Sequence, residues 1–288
     1  MERGKMWFWS AISWLICVGI AFVLTQVFDP HSIPPDKTAP SYGRGDQCER
    51  LRTDSTVMEP ENTWSNLAYL FVGLLIFFRN LGTTRVFGTM YGASLILLAW
   101  FSGLYHSNPV NGTFQSLDVA TIYWVLGILC TYALYGVSTY RNNTGTWGNT
   151  HIIFICLFWI LFGTTIAFGA DSTYLTMIFI GVLVAYTAVV LFKIKLFHPI
   201  ADLDKIAYTS VLGLLLVGCA VFRLFDGTGD FLGIDKFGCN ADSIFQFHAA
   251  WHICSALTLG IGYNLFSRAF DDEGTIIPDL NESKLVVY

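Results

Sequence analysis

Residues 244–267 read IFQFHAAWHICSALTLGIGYNLFS, an apolar run with no charged residue and two histidines, His248 and His252. A hydrophobic stretch of roughly 20 residues is long enough to cross a bilayer as a helix. Comparable runs occur at 6–28, 62–82, 87–106, 117–140, 149–169, 173–193 and 206–226, which makes eight in the chain. The composition agrees: 54% of the 288 residues are hydrophobic and only 13% are charged, with a mean hydropathy of +0.54. Soluble domains carry about 25% charged residues. The expected fold is therefore all-α: a polytopic membrane protein with a seven-transmembrane-helix bundle and one extra N-terminal transmembrane helix.

Four segments follow from this pattern. Residues 1–28 form an N-terminal transmembrane anchor. Its charged start, Met1-Glu2-Arg3-Gly4-Lys5, is like that of a signal peptide, but the apolar stretch is long and lacks a small-residue cleavage site, so an uncleaved anchor is expected. Residues 29–61 form an acidic loop with Pro30, Pro34, Pro35 and Pro40. Residues 62–268 make the seven-helix domain, and 269–288 an acidic tail.

Lys and Arg in short loops give the orientation. Arg79, Arg85, Arg141, Lys193, Lys195 and Lys205 mark alternate loops as cytoplasmic, while 107–116 and 170–172 hold no Lys or Arg. The N-terminus and the tail are then cytoplasmic. Loops 29–61, 107–116 and 227–243 are lumenal or extracellular. Cys48 and Cys239 fall in two of these loops and are free to pair as a disulfide or to stand as separate thiols. The net charge of -5 is spread over loops and tail, and no basic patch exists, which argues against nucleic acid as a partner.

This alternation gathers the chemistry-bearing residues in one leaflet. His106 ends the 87–106 run on the non-cytoplasmic side, with Ser102 one turn before it. Asp118 starts the next run on that side, and His248 and His252 lie in the first third of the last run. A lone histidine at this depth is more often a satisfied core residue than a ligand. Three converging at one depth, two of them one turn apart on a single helix face, point to a metal site. Zinc held by three imidazoles keeps a fourth tetrahedral position for water, lowers that water's pKa to about 7 and polarises a carbonyl. The segment is not His-Glu-x-x-His, because Ala249 and Ala250 stand between the histidines, so the base must come from elsewhere. Asp118 is the candidate, although a carboxylate at a helix start can equally be an N-terminal cap. Ser102 can orient a histidine or water, donate to a developing oxyanion, or simply pack between helices.

Loop 29–61 holds Asp46-Gln47-Cys48-Glu49 and then Glu59-Pro60-Glu61-Asn62-Thr63-Trp64-Ser65-Asn66. Hard oxygen ligands clustered in this way suit calcium, and equally suit a solvated acidic loop. Asn62 and Asn66, one turn apart, are expected to hydrogen-bond between helices. Asn111 heads a glycosylation sequon on the non-cytoplasmic side, and Arg223 and Asp226 read as a structural ion pair. His31, His151 and His198 lie in loops or at cytoplasmic helix ends and carry no site.

The set Ser102-x3-His106, Asp118 and His248-x3-His252 in a seven-helix membrane core resembles the alkaline ceramidase superfamily. That superfamily also holds the progestin/adiponectin receptors and a group of lipid-remodelling proteins. Gln246-Phe247-His248-Ala249-x-Trp251-His252 and Glu59-x-x-Asn62-Thr63-x-Ser65-Asn66 are most similar to the ceramidase branch, and the resemblance covers roughly residues 46–268. It implies a zinc amidase of endoplasmic reticulum or Golgi membranes, or of a bacterial inner membrane, that splits ceramide into a sphingoid base and a fatty acid. His106, His248 and His252 would hold zinc, Asp118 would be the general base, and Ser102 would stabilise the transition state. Calcium would be held by Asp46, the Gln47 carbonyl, Glu49 and Glu59. Three departures stand out. The asparagine that the family places two residues after Glu49 is Leu51 here, the spacing from Glu49 to Glu59 is one residue short, and the family's Asp-Glu pair is Asp118-Val119. Two other readings keep the histidines but change the role: an ester hydrolase acting on phospholipid or GPI-anchor lipid, and a receptor in which zinc is a structural staple.

Overall fold

The computed structural model describes residues 3–27, 48–52, 55–81, 86–142, 149–169, 178, 181–185, 202–225 and 240–269. Among these residues the protein is helical, without strands. In chain order the helices are α1 (Arg3–Val27), α2 (Pro60–Ser65), α3 (Leu67–Asn80), α4 (Val86–Ser107), α5 (Gly112–Asn142), α6 (Asn149–Gly169), α7 (Asp202–Phe225) and α8 (Phe247–Ala269). Three stretches are long and apolar enough to cross a membrane: Val86–Ser107, Gly112–Ala133 and His151–Gly169. Most of the 173–193 run, the loop up to Gln47, residues 226–239 and the tail after Ala269 lie outside the described residues.

Glycines set how closely the helices approach. α3 packs on α4, α4 on α5, and α5 on α6. A Cβ on Gly92 would stand 2.5 Å from the backbone nitrogen of Phe77, and one on Gly73 would stand 2.9 Å from that of Ile96. Only hydrogen at these positions lets the two backbones touch, the small-residue packing expected of membrane helices. Gly92→Leu is therefore expected to force α3 and α4 apart at a cost of about 1–3 kcal/mol or more. A thermal melt in detergent should show a clear drop for this variant and none for Leu at Gly19, whose Cβ direction is open.

The core lies between α3, α4, α5 and α8, with Tyr91, Leu95, Ile128, Tyr132 and Phe266 at or near zero exposure. α6 turns Phe154 (67% exposed) and Leu161 (70% exposed) outward, and its 151–169 stretch is long and apolar enough to cross a membrane. α1 rests on α3, where Trp14 Nε1 donates to the Leu67 carbonyl at 3.1 Å. Far from the histidines, Arg79 Nη1 donates to Asn264 Oδ1 (2.8 Å), and Asn264 Nδ2 donates to the Tyr208 hydroxyl (2.7 Å). This chain ties α3, α7 and α8 at one end, so the opposite ends of α3 and α8 are held in register.

Two boundaries differ from the sequence reading, each for a local reason. The 62–82 run is broken at Asn66. Ser65 Oγ and Asn66 Nδ2 both donate to the Asn62 carbonyl, at 2.8 and 2.9 Å, and the Asn66 backbone N–H turns instead to Thr63 O. Side chains here compete with the helical ladder. The Asn66 amide thus bonds locally, one turn back, and not across helices as expected. α5 starts five residues before the expected 117, because Asn111 Oδ1 accepts from the N–H groups of Thr113 (3.0 Å) and Phe114 (3.2 Å) as an N-cap. Asp118 consequently sits inside the helix, and capping does not explain its presence. Arg223–Asp226 falls outside the described residues.

Candidate metal centre

α4 delivers His106 at its last turn, and α8 delivers His248 and His252 at its first two turns. Hydrogen bonds lock the arrival of α8: Gln246 Nε2 donates to Asn240 O (3.1 Å) and Ser243 O (2.6 Å), and Ala250 N donates to Gln246 O. The helix can then begin at Phe247. α2 closes the site from the side, since Met58 N and Glu59 N donate to the carbonyls of Ser107 and His106.

The three imidazoles converge. One ligand nitrogen from each lies within 4.8 Å of the others, and all three residues are buried. Ring centroids are 4.9 Å apart for His106 and His248, 5.0 Å for His106 and His252, and 4.5 Å for His248 and His252. Among the described residues this is the one group of three or more His, Cys, Asp or Glu side chains close enough to share an ion.

Hydrogen bonds fix which nitrogen faces inward. His106 Nδ1 donates to Glu59 Oε2 at 2.7 Å, and its Nε2 is buried with no hydrogen-bond partner. His252 Nδ1 lies 2.8 Å from Ser65 Oγ. The single Ser65 hydroxyl proton goes to the Asn62 carbonyl, so Ser65 accepts from His252 and Nδ1 carries the ring proton. Both histidines therefore present an Nε2 lone pair. An outer oxygen on Nδ1 and a lone pair on Nε2 are what a metal-binding histidine needs. A buried, unpartnered imidazole nitrogen costs free energy unless something electrophilic fills its lone pair. The residues fit a metal ion.

Asp118 approaches the trio from α5. Its partly buried carboxylate lies within electrostatic reach of His106. Ser102, 2% exposed, lies close to Asp118. Of the residues singled out from the sequence, the three histidines meet in one place, and Asp118 lies near His106 and Ser102.

The acidic loop behaves differently. Asp46 and Gln47 lie outside the described residues. Glu49 turns both carboxylate oxygens to the start of α2, accepting from the N–H groups of Glu61 and Asn62 at 2.9 Å each. Burial, with Glu61 close by, pushes the Glu49 carboxyl up to about 9. Glu59 serves His106. Glu49 and Glu59 are thus both engaged in hydrogen bonds, and with Asp46 and Gln47 outside the described residues the expected calcium site is not described as a whole. Arg52 pairs with Glu61 (3.2 Å) and Arg50 with Asp242 (2.8 Å), which joins this segment to the loop before α8. Cys48 is disulfide-bonded; Cys239, its expected partner, lies outside the described residues.

The sequence reading missed the roles of Glu59 and Ser65 as histidine anchors. No spacing signals them, because each acts on a residue of another helix. Glu59→Gln is expected to weaken zinc affinity by roughly 10- to 100-fold, since an amide is a poorer acceptor for Nδ1–H. Chelator competition on the purified protein measures this directly.

No protein-family model matches the chain, and neither the curated proteins nor the solved structures contain a match to it.

Proposed function

We propose that the protein is an intramembrane zinc-dependent amidase that hydrolyses ceramide to a sphingoid base and a free fatty acid. The observation that carries the reading is the buried trio, with the Nδ1 atoms of His106 and His252 engaged and the His106 Nε2 without a partner, beside a carboxylate outside the group that could share the ion. The likeness of the site residues to alkaline ceramidases supplies the substrate. In this reading the chain is a multi-pass protein with a seven-helix core, and the site faces the non-cytoplasmic leaflet of an endoplasmic reticulum, Golgi or bacterial inner membrane.

His106, His248 and His252 hold the ion. Zinc, when bound, lowers the pKa of water to about 7 and polarises a carbonyl. The remaining work falls to the chain. Asp118 takes a proton from the attacking water and delivers it to the leaving amine nitrogen as the C–N bond breaks and the new C–O bond forms. Ser102, close to Asp118, orients the base or donates to the developing oxyanion. The lipid's two chains would lie along the helices. Calcium is no part of the reading among the described residues; a role for it would rest on Asp46 and Gln47.

The test is fatty-acid release from a panel of ceramides by purified protein, with and without a zinc chelator, beside metal analysis. Chelator-sensitive release with one zinc per chain is expected. Zinc without ceramide turnover, but with ester cleavage on a phospholipid or GPI-lipid panel, would replace the amidase by an esterase. Zinc with no hydrolysis of either class would leave the receptor reading.

A further inference from the structure

We propose that Tyr69 and Ser255 form a positioning pair that sets the metal affinity of His252. The inference rests on the reading of the three histidines as a metal centre and does not depend on the substrate. Tyr69 lies on α3, one turn after Ser65, and is 3% exposed. Its hydroxyl hydrogen-bonds Ser255 Oγ on α8. The direction of that bond follows from proton counting. Ser255 has a single hydroxyl proton, which goes back along its own helix to Trp251 O (2.6 Å), with His252 O at 3.2 Å. Tyr69 is therefore the donor and Ser255 the acceptor.

The consequence for His252 is geometric. Ser255 sits three residues beyond His252 and shares its face of α8. The Tyr69 ring also meets the imidazole edge to face, with centroids 5.9 Å apart at 61°. Ser65 and Tyr69 thus hold His252 from one face of the α2–α3 segment. Ser65 fixes the Nδ1 proton, and Tyr69 fixes the ring plane and the helix turn that carries it. His106 has its own anchor in Glu59, so the two helices of the site are clamped by separate groups. Outer partners of this kind decide how well three nitrogens match one ion.

The experiment compares wild type, Tyr69→Phe, Ser255→Ala and the double variant, all as full chains in detergent. Tyr69→Phe keeps the ring and removes only the hydroxyl. Each protein is titrated with cobalt and then with zinc against a chelator, and the metal-free forms are melted. One cobalt per chain is expected throughout. Each single variant should shift the visible cobalt bands and weaken zinc binding by roughly 10-fold. The double variant should be no worse than either single one, because both remove the same bond. Metal-free melting temperatures should stay together.

Wild-type spectra and affinity in Tyr69→Phe would overturn the proposal. So would additive losses in the double variant, or a fall in metal-free stability that accounts for the weaker binding. A wild-type protein that takes up no cobalt would overturn the metal centre and this proposal with it. If the cobalt series behaves as expected while no ceramide is hydrolysed, the positioning pair stands and the amidase reading fails.

Discussion

His252→Ala is expected to lose bound zinc and all hydrolytic activity while keeping its helices. His252 is 2% exposed, lies close enough to His106 and His248 to hold one ion with them, and is anchored through Nδ1 by Ser65. Changing an outer partner of a ligand costs roughly 10- to 100-fold in affinity. Removing the ligand itself should exceed that range and leave two imidazoles with no defined geometry. Folding must be separated from binding, because a buried ring replaced by a methyl group also leaves a cavity. The comparison is therefore between metal-free forms. Ligand binding to the native state raises stability by RT ln(1 + [L]/Kd), about 4 kcal/mol at 1,000 times Kd. Wild type should show a large zinc-dependent rise in melting temperature, and His252→Ala almost none. The same holds for His106→Ala and His248→Ala. A variant that keeps one zinc per chain at wild-type affinity would remove that histidine from the ligand set.

The part of the site written in the sequence is the part that depends on spacing within one helix. His248 and His252 are one turn apart, and so are Ser102 and His106, so each pair had to share a face once its run was helical. Alternation of spans then brought the two faces to one end of the bundle. What the sequence did not show depends on contacts between distant segments. Glu59 reaches His106 across 47 positions and Ser65 reaches His252 across 187. Both looked like members of an acidic or polar loop. The same limit explains the helix boundaries. The break at Asn66 needs two side chains to compete for the Asn62 carbonyl, and the early start of α5 needs Asn111 to cap it. Apolar periodicity is blind to both, because neither changes which face is hydrophobic.

Those boundaries matter for the chemistry. Because Asn111 caps α5, Asp118 is released from capping and lies inside the helix, close to Ser102. Asp118 is also outside the set of groups close enough to share the ion. In the proposed reading this carboxylate, free of capping duty beside the three histidines, is the proton carrier. Asp118→Asn tests this with little change in shape. Asparagine keeps the size and shape of aspartate, so the local packing survives, but the amide cannot take up a proton at neutral pH. General-base catalysis contributes roughly 10²- to 10⁴-fold. The expected result is a fall of that size in kcat, with KM for ceramide little changed and one zinc per chain at wild-type affinity. Ser102→Ala should cost less, because it loosens the base without removing it. Loss of zinc in Asp118→Asn would instead put the carboxylate among the ligands. An unchanged kcat would move the base to Glu59, the other carboxylate in contact with the trio, whose Oε2 already takes the His106 Nδ1 proton.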